Sequence, residues 1–115
     1  MGKTLSFATI GALLLVGPVF GHAKLLSTTP AAEAQLGLAP TSLTLTFNEN
    51  VRLAVLKLST GGHEIPLTID HGSAAAPSVT IALPPLTAGK YEVQWSALTP
   101  SDGHVVKGGY SFTVR

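Results

Sequence analysis

Short runs of alternating apolar and polar side chains fill the chain after its first 21 residues. In residues 41–47, for example, Leu43, Leu45 and Phe47 alternate with threonines. A period of two buries one face of an extended segment and leaves the other in water, which is typical of a β-strand. The same period appears in residues 79–83, 91–96 and 110–115. No long helical period is present, so the pattern predicts an all-β domain.

The apolar phase slips within residues 51–58. Val51, Leu53 and Val55 have one parity, whereas Leu56 and Leu58 have the other. Such a slip indicates a β-bulge or a strand that is buried on both faces. Together with two further runs, the set reaches about seven strands, the number expected of an immunoglobulin-like β-sandwich. The two further runs are residues 22–28 and 63–69.

Prolines and polar stretches separate these predicted strands. Pro66 is an exception, because it lies inside the run of residues 63–69 and lacks an amide donor, which makes that run an edge strand. Residues 70–78 form a loop of small residues, and residues 99–103 form a polar turn. We find no internal repeat and predict no second domain.

The first 21 residues have a different character. Lys3 precedes a 12-residue apolar run, residues 5–16, and Gly17 and Pro18 follow it. A basic start, a short apolar run and small residues after it are the layout of a secretory signal peptide. The run is shorter than the roughly 20 residues that span a membrane, which disfavours a retained anchor. We therefore predict a signal peptide over residues 1–21 and one domain over residues 22–115.

Removal of that segment would leave 94 residues with six basic and six acidic side chains. The basic residues are scattered, which argues against binding of nucleic acid and against polybasic attachment to membranes. The chain has no cysteine, so no disulfide supports the domain in an oxidising compartment. A domain of this size can nevertheless fold on its hydrophobic core alone.

The turn at residues 99–104 is the sharpest candidate for chemistry, because it contains Asp102 and His104. In an extended segment, residues two apart point to the same side, and Gly103 permits a tight backbone between them. Carboxylate oxygen and imidazole nitrogen together suit a borderline divalent ion. Asp-Gly is also a common turn dipeptide, so this tripeptide alone is weak evidence and a second group of donors is needed.

Processing can create the second group of donors. Cleavage after Gly21 would expose His22 with a free α-amine, and the amine and the imidazole Nδ1 can chelate one ion. With His104 they form three nitrogens in a T, a histidine brace, which resembles a tetragonal Cu(II) site with Asp102 as an axial or nearby oxygen. Binding displaces the proton of the amine, so copper affinity should fall with pH. Cleavage after Ala23 also fits the local residues and would discard His22.

Four segments of the chain after Gly21 resemble the copper-resistance protein CopC family. They are residues 22–30, residues 45–51, residues 89–95, and residues 101–104 with Gly108, Tyr110 and Phe112. Their order and spacing are those of the family, whose members are small exported copper carriers with a Greek-key β-sandwich and a mature amino-terminal histidine. The resemblance implies cleavage before His22, a periplasmic location and a CopD-like inner-membrane copper transporter as a partner. We also expect a monomer.

The resemblance further implies a set of site residues. The family's Cu(II) ligands fall on His22, Asp102 and His104, and its acidic residue falls on Glu49 in the outer shell. An acid at that position is also typical of a solvated turn. Better-known members hold Cu(I) in a Met-rich loop, whereas the only methionine here is Met1. We therefore predict one Cu(II) ion and no evident Cu(I) site.

These observations predict an exported copper carrier or buffer in copper resistance or homeostasis, and not an enzyme. No Ser/His/Asp order, paired-carboxylate pocket or phosphate loop is evident. One alternative is a copper monooxygenase, because lytic polysaccharide monooxygenases also use a histidine brace. Such an enzyme needs an aromatic-rich surface, and the chain has seven aromatic residues, two of them (Phe7 and Phe20) before the cleavage site. A metal-free structural or adhesive sandwich is the other alternative.

Two further hypotheses of metal binding are compatible with the sequence. Zinc also fits two imidazoles and a carboxylate, although copper binds more tightly in the general order of divalent ions. His63 and His71 could form a weak secondary site with Asp70 or Glu64. Solvated histidines are the more ordinary interpretation of that pair.

Overall fold

A computed structural model describes residues 23–72 and 74–115, which form seven β-strands and no helix. The predicted signal peptide and His22 lie outside the described residues. Within those residues, no helix is long and apolar enough to cross a membrane. The strands are β1 (Leu25–Thr29), β2 (Gln35–Leu36), β3 (Ser42–Thr60), β4 (His63–Ile65), β5 (Ala76–Ala82), β6 (Gly89–Thr99) and β7 (His104–Val114).

The longest strand, β3, belongs to two sheets. Its first part pairs with β1 and β5, and its second part pairs with β4 and β6, all antiparallel. Val51 still pairs with Ala76 in the first sheet, whereas Arg52 pairs with Leu98 in the second. The prediction of two separate strands here was wrong, because the polar residues 48–50 remain extended and carry the chain from one sheet to the other.

The resulting sandwich has a three-stranded sheet of β1, β3 and β5 and a five-stranded sheet of β4, β3, β6, β7 and β2. In the five-stranded sheet, β6 and β7 pair without a break from Gly89 and Val114 to Thr99 and His104. The prediction of an all-β sandwich with about seven strands is confirmed. The predicted irregularity in residues 51–58 is also confirmed, as a shift of register between Leu53 and Val55.

Several strand predictions differ from the structure: β5 already begins at Ala76, within the predicted loop, and β7 already begins at His104. The run predicted over residues 63–69 is a strand only from His63 to Ile65, because Pro66 has no amide hydrogen to continue the ladder. Strand β2 was not predicted. It contains two residues, which is too short for a period of two to be visible, and it pairs parallel with the end of β7.

Aromatic side chains from both sheets fill the middle of the sandwich. Phe47 meets Trp95 edge to face with ring centroids 5.2 Å apart, and Tyr91 stacks on Phe112 at 5.5 Å. Each of these four residues is at most 7% exposed. Tyr91 and Trp95, which alternate in phase with other apolar residues, are therefore core residues, and the functional candidates lie outside this core.

Candidate metal centre

A tight turn between β6 and β7 holds Asp102 and His104. The carbonyl of Thr99 accepts a hydrogen bond from the amide of Gly103 at 2.8 Å, which closes the turn. Gly103 has a φ of 73°, a backbone conformation that glycine adopts without steric cost. Asp102 therefore lies in the turn itself, and His104 is the first residue of β7. The sequence predicts that the two residues converge within one extended segment. In the structure they converge through this turn instead.

The carboxylate of Asp102 contacts His104 through both oxygens. The amide of His104 donates to Oδ1 at 3.0 Å, and the imidazole Nδ1 lies 3.1 Å from Oδ2. With the ring proton on Nδ1, that nitrogen donates to the carboxylate and Nε2 keeps its lone pair. A carboxylate that fixes the ring and tautomer in this way is a common arrangement around metal-binding histidines. The imidazole is half-exposed, at 53% of its side-chain surface.

The position of His104 in β7 places it at the margin of the core. Along β7, Phe112 and Val114 are buried and share their parity with His104. His104 pairs with Thr99, which is fully buried. The side chain of His104 thus stands on the inner face of the sheet, at the end where the packed interior gives way to solvent.

The beginning of the described chain is attached to the same end of the sandwich. The amide of Lys24 donates to the side-chain Oδ1 of Asn48 at 2.7 Å, and the amide of Asn48 donates back to the carbonyl of Lys24 at 3.0 Å. Ala23 is buried, at 6% exposure. The residue that follows His22 is therefore held in the core beside β3.

Glu49 connects β3 to the turn. Its Oε1 accepts a hydrogen bond from the hydroxyl of Ser101 at 3.3 Å, across 52 positions in sequence. Asn48 and Glu49 are neighbours, and so are Ser101 and Asp102. Three segments therefore meet at one end of the sandwich: the start of the domain, the polar middle of β3, and the turn before β7.

The structure brings some of the predicted site residues together and does not describe one of them, His22. Asp102 and His104 are in contact, and Glu49 lies on the neighbouring Ser101, but His22 is outside the described residues. Among the described residues, no three His, Asp or Glu side chains form a group that could hold a metal ion. His63 and His71 are both exposed.

Asn48 and Ser101 were not predicted to take part. Asn48 continues the alternation of β3 as a polar residue after the buried Phe47, so the sequence carried no distinctive signal for it. Ser101 gives no such signal either, because serine is an ordinary turn residue. Its contact with Glu49 depends on the packing of two distant segments.

Comparison with known proteins extends over nearly the whole described chain. The CopC domain family matches residues 25–115. Copper resistance protein C of Pseudomonas syringae pv. tomato is 33% identical over 122 residues, which cover 96% of this chain and 95% of that protein. The crystal structure of CopC from Methylosinus trichosporium OB3b aligns with a TM-score of 0.67 at 30% identity, covering 81% of this chain and 93% of that one.

A further solved structure is that of PcoC, described as a methionine-rich copper resistance protein from Escherichia coli. It aligns with a TM-score of 0.66 at 33% identity, covering 82% of this chain and 99% of that one. This chain therefore matches these proteins in sequence as well as in fold.

Proposed function

Because this chain belongs to the CopC family, we propose that it is an exported copper-binding protein that holds one Cu(II) ion in a histidine brace. The proposed donors are the α-amine and imidazole of His22 and the imidazole of His104, with Asp102 beside them. The observation that carries this proposal is the meeting of the domain's start with the Asp102–His104 turn at one end of the sandwich.

Covalent geometry limits how far His22 can lie from this end. Consecutive Cα atoms are 3.8 Å apart across a trans peptide bond. Ala23 is buried, and Lys24 exchanges two hydrogen bonds with Asn48. Asn48 adjoins Glu49, whose carboxylate contacts Ser101 in the turn. A mature chain that begins at His22 would therefore begin within reach of His104.

The contact between Asp102 and His104 supports a division of roles between them. His104 binds the ion through Nε2, and Asp102 holds Nδ1–H and so aims the ring. The carboxylate also places negative charge next to the cation. Glu49 acts further out, where it holds Ser101 and with it the turn.

The chemistry of these donors favours Cu(II) over Cu(I). Amine and imidazole nitrogens suit a tetragonal Cu(II) ion, whereas thioether sulfur suits Cu(I). PcoC is described as methionine-rich, whereas the only methionine of this chain is Met1, within the proposed signal peptide. The cargo is accordingly a single oxidised ion, which the protein carries or buffers without transforming a substrate.

The same proposal includes the cellular context. Residues 1–21 act as a signal peptide that is removed after Gly21, and the protein works as a periplasmic monomer. A CopD-like copper transporter in the inner membrane is the proposed acceptor. Export is essential to the site, because the α-amine donor exists only after cleavage.

Intact mass and Cu(II) titration on one preparation of exported protein test this proposal. We expect a mature start at His22, uptake of one Cu(II) per chain, and an axial electron paramagnetic resonance spectrum with nitrogen couplings. His104→Ala should change that spectrum, because it removes one of the nitrogens.

His63→Ala is the matched control, since His63 is an exposed histidine that pairs with Thr60 at the opposite end of the five-stranded sheet. Its spectrum should equal that of the unmodified protein. A mature start at Lys24, or a spectrum that His104→Ala leaves unchanged, would overturn the proposed site.

A further inference from the structure

The outer face of the five-stranded sheet carries a basic and apolar surface next to His104. Register places nine residues of β3, β6 and β7 there in three cross-strand rows. The rows are Arg52, Leu98 and Val105; Val55, Ser96 and Lys107; and Lys57, Gln94 and Gly109. Three of the nine residues are basic and none is acidic. We call these nine residues the outer patch.

Three apolar side chains belong to the outer patch, those of Val55, Leu98 and Val105. Val105 is 61% exposed and Val55 is 42% exposed, although both are large hydrophobic residues. Leu98, the partner of Val105 in the register, is partly buried. Single exposed hydrophobic residues are ordinary on a protein surface, but neighbouring ones with charged residues around them are typical of an interaction site.

A shallow depression overlaps the outer patch, which supplies six of the eight residues that line it. Gly108 and Gly109 have no side chains, and the surface beside them forms a hollow of about 510 Å³. Val55, Lys57 and Lys107 contribute to its lining, together with the mostly buried Trp95. The hollow therefore combines an apolar lining with two ammonium groups, which suits an apolar side chain flanked by carboxylates.

The charge of the outer patch indicates the sign of its partner. The whole chain has a formal net charge of +1, whereas the nine residues of the outer patch carry +3 and the first acidic residue of β6, Glu92, lies in the next row. Complementary charge guides association and sets orientation more than it sets affinity. A concave surface fits an inserted side chain better than it fits a flat bilayer. These features together favour an acidic protein segment over an anionic membrane.

We propose that the outer patch docks an acidic segment of a protein partner, with one apolar side chain of that segment in the hollow. The pair of Leu98 and Val105 is the next pair along the ladder from Thr99 and His104. A docked partner would thus lie beside the metal end, where a copper acceptor has to be. The identification of the partner as a copper acceptor rests on the proposed function, whereas the docking itself does not.

A synthetic hexapeptide with two aspartates, leucine, phenylalanine and two glutamates is the probe. Titrated into the mature protein, it should shift the amide resonances of residues 55–57, 94–96 and 107–109 and change the fluorescence of Trp95, the only tryptophan. Binding should weaken as ionic strength rises from about 0.01 M to about 0.1 M, because the Debye length falls from about 30 Å to about 10 Å. Asparagine and glutamine in place of the acids should abolish these shifts.

Charge reversal at the two lysines that line the hollow is the decisive variant. Lys57→Glu with Lys107→Glu should lower peptide affinity at least about tenfold. The matched control, Lys90→Glu with Arg115→Glu, changes the net charge equally at exposed positions outside the outer patch and should retain most of the affinity. Shifts elsewhere on the protein, equal losses in both double variants, or binding to anionic phosphatidylglycerol vesicles in place of the peptide would overturn the proposal.

Copper binding is measured on the same variants to separate the two proposals. The Lys57→Glu, Lys107→Glu protein should keep the Cu(II) spectrum of the unmodified protein, which shows that the fold and metal centre are intact. Peptide binding without Cu(II) uptake would refute the proposed function and leave the docking surface supported. Cu(II) uptake without peptide binding would refute the docking surface alone.

Discussion

Two pairs of aromatic rings fill the middle of the sandwich, whereas a few hydrogen bonds join the three segments at its metal end. Phe47, Trp95, Tyr91 and Phe112 are each at most 7% exposed and belong to one core cluster, which includes residues of both sheets. At the metal end, the contact between Ser101 and Glu49 is one bond of 3.3 Å between side chains at the surface. The interior is thus stabilised by many shared contacts, and the metal end by a few individual ones.

This difference indicates that stability and metal binding can be changed separately. Loss of a core side chain removes apolar burial and leaves a cavity, which lowers the free energy of unfolding of the whole domain. Loss of a polar contact near the surface changes the free energy of unfolding by about 1 kcal/mol or less. The same polar contact can nevertheless fix the direction of a metal ligand. The predictions below test this separation.

Phe47→Ala should have the largest effect on stability. Phe47 is 2% exposed and packs against Trp95, so its loss should lower the free energy of unfolding by about 3 to 5 kcal/mol. Urea denaturation followed by the fluorescence of Trp95 measures this change. In the protein that remains folded, the Cu(II) spectrum should not change. A loss of stability below about 1 kcal/mol would contradict the role of Phe47 in the core. A changed Cu(II) spectrum would show that the two regions are not separate.

Gly108→Ala should have the next largest effect on the free energy of unfolding. A Cβ at this position would lie 2.8 Å from Cζ2 of Trp95, which forces the buried indole ring to move. Overpacking of this kind costs about 1 to 3 kcal/mol, as measured by urea denaturation. Gly37→Ala is the control, because nothing lies within 4 Å of its Cβ and its stability should change by only about 0.5 kcal/mol. Equal effects at both positions would contradict the close packing of Trp95 on Gly108.

The interior was the more predictable of the two regions. Alternation at Leu43, Leu45 and Phe47 reports directly on which side chains are buried, and the irregularity near Val55 was visible as a slip of phase. The continuity of β3 was not predictable, since polar residues 48–50 read as a turn when their partners are unknown.

The metal end was predictable in its residue types but not in its geometry. Asp102 and His104 were found from their spacing, although they converge through a turn closed by Gly103. The hydrogen bond between Glu49 and Ser101 spans 52 positions and depends on the packing of the sheets, so no local sequence pattern predicts it. The role of His22 depends on a cleavage reaction and stays a prediction.

Asp102→Asn should change copper affinity more than stability. The amide keeps the size of the side chain and one acceptor oxygen, but it lacks the negative charge that holds Nδ1–H of His104. Loss of such a carboxylate typically lowers metal affinity about 10- to 100-fold. Competition titration with a Cu(II) chelator measures this loss, and urea denaturation should show a change within about 0.5 kcal/mol.

Asp70→Asn is the matched control for that substitution. Asp70 is also an exposed aspartate, and its Oδ1 accepts a hydrogen bond from the amide of Gly72 at 2.9 Å within a turn. It lies in a different loop, so its substitution should leave copper affinity unchanged. Equal losses of affinity in the two variants would point to a general effect of net charge and against a specific role of Asp102.

The smallest effect should come from Tyr110, a polar group within the apolar interior, and it should appear only at high pH. Burial raises the pKa of Tyr110 to about 12 from 10.0, and the Thr28 side chain opposes this shift only in part. Between about pH 10 and pH 12 the unfolded chain has lost a proton that the folded protein still holds, so stability falls as pH rises through this window. Below pH 10 both states are protonated and this contribution to stability is fully present. Urea denaturation at several pH values should therefore show a shallower decline for Tyr110→Phe than for the unmodified protein. Identical declines would mean that the hydroxyl of Tyr110 reaches water, and that the packed interior ends before this residue.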